Sequence, residues 1–185
     1  MDSEQGLNTT VAIASKASLP MGGPALTHIY QVDCIAPDGS LKWSETVKNL
    51  VPDAGLDEIL SRSWKASALT VADYVGLMDS TPTVASGDTM ASHAGWTEVT
   101  DYSEATREAL TLGSVASQSV DNSAAKASYS VNTTVTIGGA FICDDSTKAG
   151  SGGTLLGAAA FTAGDRAAQN GDTLNLTITL TAASA

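Results

Sequence analysis

The sequence predicts a mainly β protein, an antiparallel β-sandwich of jelly-roll-like form with one short helix and an extended N-terminal arm. In residues 173–181, for example, Leu and Ile alternate with Thr and Asn, as in a strand with one buried face. Turn-forming residues such as Asn170-Gly171-Asp172 separate seven or eight runs of this kind, and one segment alone has helical spacing. Short strands with turns between them favour a sandwich.

Length and composition set the size of the core. The chain has 185 residues, which fits one domain, and 16% of them are charged, too few for a chain that is disordered as a whole. Ala, Ser, Thr and Gly together number 89. Apolar burial contributes about 25 cal/mol per Å², so a core rich in Ala is expected to be thin. Packing against neighbouring subunits stabilises such a protein, which favours a component of an assembly.

Residues 1–24 are predicted to be an extended N-terminal arm, and residues 25–185 the β-sandwich domain. Val11 and Ile13 are the only bulky side chains between residues 8 and 18. The stretch from Leu19 to Pro24 contains two Pro and two Gly, which interrupt any regular element. Such a segment either frays in solution or becomes ordered against a partner.

The first predicted element is a hairpin. Residues 27–35 and 41–48 flank Ala36-Pro37-Asp38-Gly39, which supplies Pro for a turn corner and Gly for a positive φ. On the second strand, Leu41, Trp43 and Val47 are predicted to share the buried face.

One short helix is predicted next. Asp53 is positioned to cap it, and apolar residues recur at three- and four-residue spacing through Leu56, Ile59, Leu60 and Trp64. We expect this apolar stripe to lie across an open end or face of a sheet and to close the core there.

From residue 72 onward every predicted element is a strand. Tyr74–Met78 is a nearly continuous apolar run, which is typical of a central strand. Two long loops are predicted, at residues 80–96 and 144–153. The further strands are predicted at residues 109–115, 129–137, 140–143, 155–161 and 173–181.

The charge balance argues against several classes of partner. Nine basic and 20 acidic residues give a net charge of −11, and nucleic acid binding requires a basic patch that the short run Arg62 to Lys65 does not supply. No apolar stretch approaches the length of about 18 residues that spans a bilayer. Neither nucleic acid nor a membrane is therefore an expected partner. Residues 1–5 lack the positive region of a signal peptide, so synthesis in the cytoplasm without export is expected.

Ser92 and His93, with Asp88 nearby, are the side chains that could be read as catalytic machinery. A Ser–His–Asp triad needs a nucleophile on a rigid elbow and a His oriented by a buried carboxylate. Ala-Ser-His-Ala in a long loop provides no such elbow. We therefore predict a solvated loop rather than an esterase, and no catalytic residue.

Glycine, cysteine and acidic residues likewise suggest neither a cofactor nor a metal. The loop from Gly150 to Gly153 lacks the Lys and the following helix of a phosphate cradle. Cys34 and Cys143 lack metal-ligand spacing and are predicted to be buried free thiols. Four aspartates that could donate oxygens to Ca²⁺ lack the spacing of a calcium loop and are predicted to lie in surface turns: Asp144, Asp145, Asp165 and Asp172.

The nine aromatic residues are scattered along the chain. A carbohydrate-binding platform needs two or three rings exposed on one face, and only Trp96 and Tyr102 are predicted to be exposed and close together. Packing in the core or in an interface is the favoured role of the aromatic residues.

Several segments carry a more specific pattern: Gly39-Ser40-Leu41-Lys42-Trp43, residues 49–56, Tyr74-Val75-Gly76-Leu77, Gly87-Asp88-Thr89-Met90-Ala91-Ser92-His93-Ala94-Gly95-Trp96-Thr97-Glu98-Val99, Tyr102-Ser103-Glu104-Ala105-Thr106-Arg107, Val120-Asp121-Asn122-Ser123-Ala124 and Gly171-Asp172-Thr173-Leu174. Together they resemble small virion structural proteins of tailed bacteriophages, over roughly residues 28–182. That class includes capsid decoration (cement) proteins, head fibres and tail-fibre-like proteins.

The resemblance implies a structural role in the virion that involves no chemistry. We expect a decoration protein on the outer capsid surface, with the major capsid protein of the same phage as one partner and the chain itself as another, in a homotrimer. Lysis releases virions, so no signal peptide is needed, and the net negative charge suits an outer surface better than one that faces DNA. The alternative is a head- or tail-fibre protein that binds the host surface, with Trp96 and Tyr102 as its contact residues.

The expected contacts with the capsid or between subunits fall in two regions. The N-terminal arm would become ordered along a neighbouring subunit. Residues 87–107 would form a structured loop, held by Trp96 and by an ion pair of Arg107 with Glu98 or Glu104, which either braces the sandwich or forms the subunit interface. The predicted interface residues are Val11, Ile13, Leu19, Met21, His93, Trp96, Tyr102 and Arg107.

Overall fold

The computed structural model describes residues 25–65 and 72–183, and the predicted N-terminal arm lies outside these ranges. The elements are β1 (Ala25–Ile35), β2 (Leu41–Lys48), α1 (Asp53–Trp64), β3 (Tyr74–Met78), β4 (Glu108–Ala109), β5 (Ser119–Asp121), β6 (Ala127–Ser130), β7 (Val135–Ile137), β8 (Gly139–Cys143), β9 (Leu155–Ala160), β10 (Arg166–Ala168) and β11 (Thr173–Ala183). These strands pair antiparallel. The predicted mainly β, antiparallel fold is confirmed.

Two sheets form the sandwich. The larger has the order β2-β1-β11-β5, with β6 also paired to β11, and the smaller has the order β4-β3-β8-β9. β1 and β11 pair along their full lengths, from Ala25 opposite Ala183 to Ile35 opposite Thr173. A separate two-stranded sheet joins β7 and β10.

The main core lies between the two sheets. Tyr30 and Ile178 of the larger sheet belong to the same buried cluster as Leu77 and Ile142 of the smaller sheet. These side chains alternate with outward-facing neighbours, as the period of a strand requires. The alternation read in residues 173–181 therefore corresponds to a strand with one face in this core.

The smaller sheet is buried on its second face as well. Met78 of β3, and Phe141 of β8, pack there with Met90 and Trp96 of the segment between β3 and β4. We call residues 79–107 the long loop. Because this loop covers the outer face, β3 is apolar at nearly every position, as its sequence predicted. Gly76 lies under the Phe141 ring, which a Cβ atom at that position would overlap.

Two predicted strands differ from the structure. Residues 129–137 form not one strand but β6 and β7, which belong to different sheets and are separated by the exposed Asn132, Thr133 and Thr134. Residues 109–115 are not a strand, because β4 ends at Ala109 and residues 111–118 are exposed. The pairing of β4 with β3 stops at Ala109, so Leu112 and Val115 stay outside the sheet and are 36% and 74% exposed. The three-residue strands β5 and β10 were not predicted, since they are too short to show alternation.

The helix was predicted in the right place but with the wrong cap and the wrong buried side. Pro52 is the N-cap residue, and no side-chain hydrogen bond caps the helix; Asp53 is the first helical residue. Its buried residue is Gly55. A Cβ atom there would lie 2.9 Å from the carbonyl oxygens of both Leu155 and Leu156, so the backbone of α1 packs directly on β9.

The apolar stripe of α1 therefore does not close the core. Leu56, Leu60 and Trp64 are 41%, 58% and 84% exposed. Leu41 was also expected to be buried and is 60% exposed, whereas Val47 is buried as predicted. Glu45 takes an inward position on β2, where it pairs with Arg166 of β10. In the described ranges no helix is long and apolar enough to cross a membrane.

Candidate interaction surface

Arg107 holds the end of the long loop in place. Its side chain is fully buried, and its guanidinium donates to both carboxylate oxygens of Glu98, at 2.9 and 2.7 Å. It also donates to the carbonyl oxygens of Asp145 at 2.9 Å and Gly150 at 2.7 Å. Such a planar donor fork fits carboxylate geometry. Of the two partners predicted for Arg107, the structure shows Glu98.

Burial and charge act in opposite directions on this cluster. Burial of the guanidinium acts to lower the pKa of Arg107, but hydrogen bonding to Glu98 and the charges of the neighbouring acidic groups together outweigh it, and the pKa is raised. Burial raises the pKa of the neighbouring Cys143 thiol to about 11, so this cysteine stays protonated and unreactive at neutral pH. Cys34 and Cys143 are both free and buried, as predicted.

Trp96 fixes the middle of the long loop. Its ring stacks on His93 with 3.7 Å between the ring centroids and lies 5.0 Å from Phe141. Its indole Nε1 donates to Asp88 Oδ2 at 3.2 Å, and Asp88 also accepts from the backbone N–H of Ala85 at 3.0 Å. The indole thus joins the loop to β8 while its polar atom remains paired.

Tyr102 packs under the last part of the loop. Its ring lies 4.6 Å from that of Tyr129, and the Lys148 ammonium lies 3.9 Å from its centroid. Lys148 Nζ also donates to the Tyr102 carbonyl oxygen at 2.8 Å. Burial raises the pKa of Tyr102, and its hydroxyl oxygen is buried without a hydrogen-bond partner among the residues that the structure describes.

Most of the described residues predicted for an interface are therefore internal. Trp96, Tyr102 and Arg107 are 5%, 2% and 1% exposed, so the expectation that Trp96 and Tyr102 are exposed is wrong. His93 is partly exposed. The loop braces the outer face of the smaller sheet, and the predicted arm contacts lie outside the described residues: Val11, Ile13, Leu19 and Met21.

The side chains considered for chemistry also have internal partners. His93 Nδ1 lies 3.0 Å from the Trp96 carbonyl oxygen, to which its N–H donates, while the hydrogen bonds shown for Ser92 go to Thr89. The carboxylate of Asp165 accepts from the Thr81 N–H at 2.8 Å. Among the described residues, no three His, Cys, Asp or Glu side chains converge as metal ligands.

Asp172 shows how one buried carboxylate is accommodated. It accepts from Lys42 Nζ and from the Gln169 N–H, each at 2.7 Å. Burial acts to raise the pKa of Asp172, but these two hydrogen bonds, a third from the Cys34 thiol and the charge of Lys42 together outweigh it, and the pKa is lowered. Asp172 thus stabilises the turn before β11 and does not form part of an exposed site.

The exposed side of α1 is the first candidate for binding a partner. We call Leu56, Leu60 and Trp64 the helix face; their four-residue spacing places them in one row. The helix is held rigidly behind this row by Gly55 on β9 and by Arg62, which donates to Asp73 at 2.7 Å and to Asp144 at 3.3 Å. A rigid row of exposed apolar side chains indicates an interaction site.

A groove beside α1 is the second candidate. It has a volume of about 520 Å³ and lies where β1 begins and β11 ends. We call it the end groove. Its lining includes Leu26, Ser63, Val115, Val120, Leu180 and Ala182. Val115 is 74% exposed and Leu26 43%.

The more apolar side of a helix is usually the buried one, which is why the helix stripe was expected in the core. Gly55 indicated that its own side of α1 is the buried one, since a glycine in a helix allows close approach to another backbone. For Val115, the neighbouring Gly113, Ser114 and Ser117 could have indicated an exposed segment.

No protein-family model matches the chain, and no curated protein matches it in sequence.

Proposed function

We propose that this chain is a non-enzymatic virion structural protein of a tailed phage, a capsid decoration protein that binds the outer surface of the expanded head. The sequence resemblance suggests the class and the major capsid protein as partner. The observation that carries the proposal is the helix face, because Trp64 is 84% exposed in a row with Leu56 and Leu60. A folded protein that keeps such a row outside its own core is suited to bury it against another protein.

The proposed mechanism is mass action. Each copy bridges neighbouring capsid subunits and binds the assembled lattice but not its dissociated parts, so its binding free energy becomes lattice stability. A free concentration 100 times the dissociation constant contributes about 2.7 kcal/mol per site. No bond is made or broken, and a homotrimer of decoration proteins would multiply the contacts.

The internal bracing of the loop supports this role. A cement protein must transmit force between the subunits that it joins. The buried Arg107, which pairs with Glu98 inside the long loop, also donates to the Gly150 carbonyl oxygen and so ties the long loop to the loop after β8. The fibre alternative relied on Trp96 and Tyr102 as contact residues, and both rings are buried. The fibre alternative therefore loses the two contact residues on which it rested.

Cosedimentation with expanded capsids that lack the protein tests the proposal. The parent chain should bind saturably, and capsids that carry it should disrupt at a higher temperature than bare ones. Leu60→Gln with Trp64→Gln should weaken binding by about 30-fold or more, since truncated interface hot spots cost about 2 kcal/mol or more. Gln is a good helix former, so α1 should persist.

Leu41→Gln is the matched control, because Leu41 is 60% exposed on β2 and lies outside the helix face. It should bind like the parent. Absence of binding by the parent chain would overturn the decoration role, and binding to host cells would then support the fibre alternative. Equal binding by the helix variant and the control would show that another surface contacts the capsid.

A further inference from the structure

The end groove has no part in the proposed function, and its chemistry is distinctive. Its described lining is made of aliphatic, Ser, Thr and Gln side chains without a charged group. The whole chain carries a net charge of −11. An uncharged, largely apolar groove on an acidic protein suits an uncharged apolar segment, because a charged one would lose hydration there without gaining an ion pair.

One such segment of this chain begins at the rim of the groove. β1 starts at Ala25, and the next residue, Leu26, lines the groove. The 24 residues before Ala25 are therefore attached to the described part of the chain at this point. Attachment at the rim gives the segment a local concentration on the order of millimolar, which favours binding within the same chain over binding between chains.

The composition of residues 17–24 matches the groove. This stretch has no charged residue, and its two large side chains, Leu19 and Met21, are apolar. Gly22, Gly23 and Pro24 follow them and are residues that form turns, so the chain can reverse direction into the groove.

The length of this segment and the volume of the end groove are also compatible with docking. Ala25 lies four positions after Met21, and an extended chain spans at most about 3.6 Å per residue, or about 14 Å here. A cavity of about 150 Å³ holds a benzene ring. The end groove, at about 520 Å³, has room for several apolar side chains.

We infer that residues 17–24 dock in the end groove of their own chain, with Leu19 and Met21 as the apolar contacts. Docking fixes the base of the N-terminal segment and leaves Val11 and Ile13 to reach a neighbouring subunit. The inference concerns the purified subunit, so it stands whether or not the chain binds capsids.

NMR on the full chain with ¹³C-labelled methyl groups tests this docking. The Met21 methyl should show cross-relaxation to the methyls of Val115 and Leu180. Val115→Asp should abolish these contacts and move the Met21 signal to the position of a free methionine. Val115 is 74% exposed, so this substitution leaves the core intact; the signals of the buried Met78 and Met90 report that the fold is retained.

Leu41→Asp is the control variant and should leave the Met21 signal unchanged. Leu41 pairs with Ile35 at the far end of β1 from Leu26. A Met21 methyl at the free position in the parent chain, unaffected by Val115→Asp, would overturn the inference. Contacts seen only between labelled and unlabelled copies would also overturn it, because they would assign the groove to a second copy of the chain.

Discussion

At the scale of single residues, buried charge in this protein is neutralised over short distances. The Arg107 side chain is fully buried and meets the nearly buried Glu98 through two hydrogen bonds. Desolvation of two charges is costly, and the mutual attraction offsets it only when the geometry is good and the remaining donors are satisfied. Here the remaining donors reach the carbonyl oxygens of Asp145 and Gly150.

Arg107→Met should lower the free energy of unfolding by about 3–5 kcal/mol, because it leaves Glu98 buried and without its partner. Urea denaturation followed by fluorescence measures this. Lys126→Met is the control: Lys126 is 40% exposed and lies 3.7 Å from Asp33, and such a pair contributes about 1 kcal/mol or less. Equal effects of the two substitutions would show that the Arg107 cluster does not hold the loop.

His28 should make stability depend on pH. It is 5% exposed, and its Nδ1 accepts from Asn49 Nδ2 at 2.8 Å. Burial lowers its pKa to about 4, whereas an unfolded His has a pKa of about 6.5. The unfolded chain therefore binds the proton first, and stability should fall by about 3 kcal/mol between pH 6.5 and 4.

His28→Asn is the comparison variant, since its amide oxygen can accept from Asn49 without gaining charge. Carboxylates titrate in the same range in both proteins, so the difference between the two stability curves isolates His28. Unfolding by urea at several pH values measures it. Parallel curves from pH 7 to 4 would contradict a depressed pKa.

At the scale of elements, the contact of α1 with β9 shows how one small residue orients a helix. Gly55 allows the helix backbone to meet the carbonyl oxygens of Leu155 and Leu156. Since that side is buried, the larger apolar residues four apart, Leu56 and Leu60, are turned outward. The helix face is thus a consequence of where the glycine lies.

Gly55→Ala should lower the free energy of unfolding by about 1–3 kcal/mol, as overpacking does. This is opposite to the gain of about 1 kcal/mol that Ala gives over Gly in an unhindered helix. Ser63→Ala, at an exposed position of the same helix, should be neutral or stabilising. Thermal unfolding measures both, and a gain in stability for Gly55→Ala would refute the close packing of α1 on β9.

At the scale of the whole molecule, charge and exposed apolar surface oppose each other. The net charge of −11 keeps copies of the chain apart, while Leu60 and Trp64 present an apolar row to solvent. Screening the charge should therefore allow association through this row.

Static light scattering at pH 7 should show self-association that increases with salt, since the Debye length falls from about 30 Å at 0.01 M to about 3 Å at 1 M. Leu60→Gln with Trp64→Gln should reduce this association, and Leu41→Gln should not. Association that weakens with salt would instead indicate contacts between charged groups.

Local sequence patterns were sufficient to predict the strands with strong alternation and the class of fold that they form. β2 and β3 were predicted with their observed bounds, and the hairpin turn was recognised from Gly39, whose φ is +85°. Alternation and turn chemistry are properties of neighbouring residues, so they can be read without the rest of the chain. The phage function remains a prediction.

Which apolar side chains are covered depends on contacts between elements that are far apart in the sequence. Trp96 is buried because the long loop folds over β8, and Trp64 is exposed because Gly55, on another side of α1, meets β9. Residues 129–137 divide between two sheets for a similar reason, since β6 pairs with β11 and β7 with β10. Burial of a side chain requires another element to pack against it, and a local sequence pattern does not specify which distant element does so.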